Sequence, residues 1–256
     1  MRRPIAALIA LCSFATSGCF TIEQTLTLEK NLAGAAGVTM QVDMEPIVGF
    51  MAMMKQSMTE KPGKPSEADI AAARKELLGR PSRTIDLEKE KKLAESQLPA
   101  GVRLLDVAFK DDGLKVSAKL LLGFDHASKL EQIKFDKGSA AAPAGPMDNP
   151  LDEPFGGLKV IDEGGTLLVT SPARNPLGDQ QAEMGPMPMD AELKGLFDSM
   201  LSGVRVTIRM TAPFEVVEHN AHRKEGSMLV WDYNYASLQK MTAAEVEQGV
   251  RVRYKK

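Results

Sequence analysis

Two histidines and two glutamates crowd one short stretch, Glu215, Glu218, His219 and His222, and such side chains can ligate a divalent cation. Their spacing matches no helical or loop ligand geometry, and they straddle a turn between two strand-like runs, where polar residues are expected anyway. No metal site is predicted there. The 15 methionines offer a second chemistry. Met51, Met53, Met54 and Met58 fall in one apolar segment and Met184, Met187 and Met189 in another. Soft thioethers can hold Cu(I) or line an adaptable apolar cavity. Plain core filling competes for Met51, Met54 and Met58, which share a helical stripe with Ile47 and Phe50, whereas Met53 lies off it. Cys12 and Cys19 are the only thiols, too few for a thiolate zinc site. Without a Gly-x-Ser-x-Gly elbow, a phosphate-cradling glycine loop, a dinucleotide fingerprint or a His-Glu-x-x-His helix, the chain is expected to be no enzyme and to need no cofactor.

The chemistry with the clearest context is that of Cys19. Arg2 and Arg3 precede an apolar run from Ile5 to Phe14, and small residues Ala15 to Gly18 follow, the order of an export signal. The apolar run is half the roughly 20 residues a spanning helix needs. Gly18-Cys19 resembles the end of a bacterial lipobox, in which the chain is cut before a cysteine that receives a diacylglyceryl group. Thr16 departs from the leucine that pattern prefers, and conventional cleavage after Ser17 is the alternative. The expectation is a signal at 1–18 and a mature chain attached to the membrane through lipid on Cys19, exported to the cell envelope. Phe20 is not the aspartate associated with inner-membrane retention, so in a cell with two membranes the outer one, facing the periplasm, is expected.

The remainder has a globular profile, 43% hydrophobic and 26% charged over 256 residues, with a net charge of −2 that gives nucleic-acid phosphate nothing to condense on. Period-two alternation marks strands at 21–29 and 37–45, with Gly34 to Gly37 expected as their connection. From Pro46 the period becomes helical. Ser66 with Asp69 three residues on predicts a capped second helix that stops at Gly79, and 84–98 predicts a third, largely solvated one. Asp111-Asp112-Gly113 sits between two alternating runs and predicts a hairpin; "VIDEGG" and "HRKEGS" repeat that turn chemistry. Leu193, Leu196, Phe197, Met200 and Leu201 form an amphipathic stripe over 190–203. Strands follow to the end, with Leu229, Trp231, Tyr233 and Tyr235 predicted on one face. The Pro/Gly-rich stretches 138–157 and 172–188 read as insertions, either binding lids or tolerated surface loops. The fold class predicted is α+β: roughly eight to ten strands, mostly hairpin-joined in an antiparallel curved sheet packed against helices, as one domain over 19–256.

The segment "GVRVTIRMTAPFEVVEHNAHRKEGSMLVWDYN", 203–234, resembles the LppM-like bacterial lipoprotein domain through Pro213, Val216, Val217, Asn220, Ala221, Gly226 and Trp231, and "CFTIEQTLTLEKN" resembles that family's start. Family members often end in a membrane helix, and this chain instead closes on Tyr254-Lys255-Lys256. The resemblance implies an envelope-exposed domain for which lipid or glycolipid binding has been proposed, and it brings no catalytic residues. Together with the two amphipathic helices it suggests an apolar groove lined by Phe50, Met51, Met54, Met58, Leu193, Phe197, Met200 and Trp231. The other reading is a filled-core interaction protein that meets envelope partners, of unspecified identity, through its two loops.

Overall fold

The computed structural model describes residues 19–57, 65–79, 86–135, 155–172, 195, 198 and 201–256. The signal at 1–18, Met58, Leu193, Phe197, Met200 and nearly all of both loops lie outside these residues.

The fold opens on a hairpin of two ten-residue strands, β1 (Cys19–Leu28) and β2 (Gly34–Asp43). Its turn occupies Glu29 to Ala33, with Leu32 at φ 65°, and the glycines expected to form the connection are inside β2 instead. They serve close approach. A Cβ on Gly34 would sit 1.9 Å from the Thr27 carbonyl oxygen, and one on Gly37 would sit 2.8 Å from Thr25 Oγ1 and 3.2 Å from Leu121.

Two helices follow, α1 (Glu45–Ser57) and α2 (Glu67–Leu78). The expected capping box closes the start of α2: Ser66 Oγ accepts from the Asp69 N–H at 3.2 Å, and the Asp69 carboxylate accepts from the Ser66 N–H at 3.0 Å. The helices meet at Val48, Ala52, Ala73 and Leu77, a small cluster apart from the main core, and Arg74–Glu45 and Lys55–Glu76 ion pairs flank the contact. Next come α3 (Leu87–Gln97), β3 (Val102–Asp111) and β4 (Lys115–Phe124). Beyond a 3-10 turn at Ala127–Gln132 the chain forms β5 (Lys159–Asp162) and β6 (Thr166–Ser171). Gly195, Asp198 and Leu201 are helical, within the stretch expected to be a helix. The end comprises β7 (Arg205–Thr211), β8 (Glu215–His219), β9 (Arg223–Glu225), β10 (Met228–Asn234), α4 (Tyr235–Lys240), α5 (Ala243–Gln248) and β11 (Val250–Lys255).

The α+β class holds, in a finer form than one sheet. A seven-stranded sheet runs β3-β4-β2-β1-β7-β10-β9, and a four-stranded sheet runs β5-β6-β11-β8. Pairing is antiparallel except between β1 and β7, which are parallel. The crossover from the first half of the chain delivers β7 to the free edge of β1 in the same direction, where a two-residue turn could not. Pro213 then takes the chain out of the large sheet, so β8 pairs with β11 and not with its neighbour β7.

Register fixes which face is buried. Ala36, Val38 and Met40 stand opposite Leu26, Gln24 and Ile22. Continuing outward, Leu122, Leu120 and Ala118 extend this face on one side, and Val206, Ile208, Met210, Tyr233, Trp231 and Leu229 extend it on the other. The small sheet turns Leu167, Val169, Val250, Val252 and Tyr254 into the same core. The far face of the large sheet is polar, carrying Thr21, Glu23, Thr39, Lys119, Thr207 and Arg209, with ion pairs Arg209–Glu23 at 2.9 Å and Lys119–Asp106 at 2.8 Å.

Candidate functional site

Cys19 is the first residue of β1 and pairs with Asp43 of β2, so the folded sheet begins at the cysteine itself. Several elements share this end. Lys115, the first residue of β4, pairs with Asp43 in register and through a 3.7 Å ion pair. The β3–β4 turn beside it is built as its sequence predicts: Asp111 Oδ1 accepts from the Gly113 N–H at 2.8 Å, Asp112 Oδ1 accepts from the Lys115 N–H at 2.7 Å, and Gly113 takes φ 87°. The Met44 N–H donates to the Leu114 carbonyl at 2.7 Å, tying the start of α1 to this turn. Leu78, at the end of α2, lies over Gly113 and is nevertheless 49% exposed. An apolar residue left in water at a helix end is unlike Ala73 and Leu77 of the same stripe, which are buried.

The residues expected to line a groove are distributed differently from one another. Phe50 and Trp231 belong to the main core, 5% and 0% exposed. Met54 is half-buried against that core, and Met51 is half-buried against the α1–α2 cluster. A cavity of about 30 Å³ lies between the sheets, lined by Gln24, Leu26, Phe155, Leu158, Ile208 and Met210 among others. That is space for a water molecule or two, against the several hundred Å³ of a ligand pocket.

Trp231 is held by a residue whose reach the sequence conceals. Asn220 sits where the chain passes from the small sheet back to the large one. Its Oδ1 accepts from Trp231 Nε1 at 2.8 Å and from the Arg251 N–H at 2.9 Å, and its Nδ2 donates to the Gly249 carbonyl at 2.7 Å. The Asn220 N–H also donates to the Arg251 carbonyl at 3.1 Å. One side chain thus joins β10 of the large sheet to β11 of the small one. Nothing in the neighbouring sequence marks this role.

The histidines flank this junction and are used by the backbone. His219 Nδ1 accepts from the Ala221 N–H at 3.2 Å, and His222 Nδ1 lies 3.0 Å from the Asp232 N–H with its ring edge-on to Tyr233. Among the described residues no three His, Cys, Asp or Glu side chains converge as a metal site would require.

Nearby, partial burial pushes the Asp232 carboxyl up, but the Thr207 hydroxyl at 3.0 Å and Arg223 at 3.2 Å outweigh it and hold the group below the ordinary range. Burial pushes the phenol of Tyr235 well up, helped by its hydrogen bond to Asp198 at 2.8 Å. Burial alone does the same to Tyr254, whose hydroxyl is enclosed without a hydrogen-bond partner among the described residues. Each of these shifts has a structural cause in burial or a local hydrogen bond.

No protein-family model matches the chain and no curated protein is similar to it. Among solved structures it is similar to the NMR structure of the folded domain of the Mycobacterium tuberculosis LppM protein, with a TM-score of 0.44 and 9% identity over 94% of this chain and 91% of that one. The relationship is a weak structural one. No helix among the described residues is long and apolar enough to cross a membrane.

Proposed function

We propose that this chain is a non-enzymatic lipoprotein of the bacterial envelope, held to its membrane by a diacylglyceryl group on Cys19, whose folded domain works by contact with other envelope components. The observation that carries the anchor is the placement of Cys19: an export signal with a lipobox-like end runs directly into β1, with no linker between the modified residue and the fold. Among the described residues, the enclosure of Trp231 and Phe50 and the small space between the sheets support a filled core and with it a role exercised at the surface.

A second reading, binding of a lipid or other hydrophobic ligand, draws on α1. Met51, Met53 and Met54 are each half-buried there, and flexible thioethers adapt their packing at little cost. Protein stripped of detergent-soluble lipid and offered fluorescent fatty acids and phospholipids separates the two. The surface-contact role predicts no saturable uptake and no retained lipid in native mass spectrometry, apart from the covalent anchor. A stoichiometric, α1-dependent complex would transfer the assignment to ligand binding.

A further inference from the structure

We infer that the end of the fold comprising Leu78, the β3–β4 turn and Lys115 lies against the lipid surface, with the Leu78 side chain entering the headgroup–acyl boundary. The inference rests on the proposed lipid at Cys19 and adds which surface that lipid presents to the bilayer.

The geometry is restrictive. A linker of even a dozen flexible residues would let a domain tumble above its anchor. Here Cys19 is already hydrogen-bonded strand, paired with Asp43, which is paired in turn with Lys115. The anchored strand is the fourth of seven in its sheet, so whatever lies at its Cys19 end across the neighbouring strands is carried to the membrane with it. The β3–β4 turn is two strands away at that end, and α2 closes over it through Leu78. Among the described residues at this end, Leu78 is a large apolar side chain that water covers, 49% exposed, while its helix neighbour Leu77 is 6% exposed. Exposed leucine beside an acyl anchor gains from the same apolar phase the anchor occupies. Among the described residues of these strand ends, exposed Lys110, Lys115 and Arg205 stand with Asp43, Asp111 and Asp112, so the contact inferred is apolar and needs no anionic lipid.

The opposite end of the hairpin provides the control. Lys30 is exposed in the β1–β2 turn, and ten-residue strands at about 3.3 Å per residue put it about 30 Å from Cys19. With Cys12 removed by processing and Cys19 acylated, an introduced cysteine is the sole thiol of the mature protein. Full-length lipidated protein carrying Leu78→Cys, Lys115→Cys or Lys30→Cys is labelled with an environment-sensitive fluorophore and placed in phosphatidylcholine vesicles containing lipids brominated near the headgroup. The expected result is a blue shift with at least twofold quenching at position 78, weaker quenching at 115 and none at 30, unchanged between 50 and 500 mM salt. Equal, negligible quenching at 78 and 30 in protein whose mass shows the lipid overturns the orientation and leaves the anchor standing. Quenching that vanishes at high salt overturns the apolar contact. Protein that carries no lipid and stays free of vesicles overturns the underlying reading first, and the orientation with it.

Discussion

Replacing Asn220 by alanine removes two acceptor bonds and one donor bond from the junction between the sheets. Trp231 is fully enclosed, so its indole N–H has no water to turn to, and a buried donor left unmatched costs about 1–3 kcal/mol. Arg251 is half-buried, so its freed N–H is partly rehydrated, and the Gly249 carbonyl loses a bond worth about 1 kcal/mol. The expected loss is therefore about 2–5 kcal/mol, a large share of the roughly 5–15 kcal/mol that holds a domain folded. Urea unfolding followed by Trp231, the one tryptophan of the chain, reads this directly. Circular dichroism serves for Trp231→Phe and the double variant. The pair should couple by about 1 kcal/mol or more, because removing the indole N–H first removes the group that Asn220 satisfies. Asn31, whose side chain accepts one exposed bond from the Ala33 N–H, should lose under about 1 kcal/mol on the same change. Stability within about 0.5 kcal/mol of wild type for Asn220→Ala, or strict additivity with Trp231→Phe, would refute the claim that this side chain ties the sheets together.

Other expectations follow from the same geometry. Tyr254→Phe removes an enclosed hydroxyl that has no partner among the described residues and should be neutral or stabilising by up to about 1 kcal/mol at pH 7. Because burial raises the folded phenol above its ordinary value of 10.0, the wild type keeps its full stability below about pH 10 and loses it as pH rises and the unfolded chain ionises. The variant should lose less between pH 10 and 12 in thermal melts, and an equal loss in both proteins would show that Tyr254 is not the cause. Gly34→Ala drives a Cβ to within 1.9 Å of a backbone oxygen and should cost about 1–3 kcal/mol or more. Gly49→Ala, in α1 with nothing within 4 Å of the new atom, should instead stabilise by about 0.5–1 kcal/mol; matched effects at the two glycines would contradict the packing assigned to β1 and β2.

What the sequence discloses is what neighbouring residues decide. The Ser66–Asp69 box, the Asp111-Asp112-Gly113 turn and the Asp162-to-Gly164 turn, where Gly164 donates to Asp162 Oδ1 at 2.9 Å, are set by side chains two or three positions apart and appear as expected. Partner choice between distant strands is a different matter. Nothing in Arg205–Thr211 announces a parallel partner in Thr21–Thr27, and an alternating strand satisfies its backbone equally well in either direction. The same limit explains the second sheet and the reach of Asn220. Glycines 34 and 37 lie in β2 and not in the expected connection, because a glycine that permits a turn and one that permits close strand approach look alike until the facing residues Thr27 and Leu121 are known. Of the residues expected to line a groove, Phe50 and Trp231 lie in the main core, and amphipathic periodicity reports only that a face is covered, not whether protein or ligand covers it.

The account turns on the fate of Cys19. Intact mass of the detergent-purified mature protein, together with membrane fractionation of wild type and Cys19→Ala, tests it most directly. A chain beginning at Cys19 with the mass of a diacylglyceryl group, found in membranes and released by the substitution, is the predicted result. An unmodified chain cut after Ser17, or one that sediments with membranes equally well as Cys19→Ala, would contradict it.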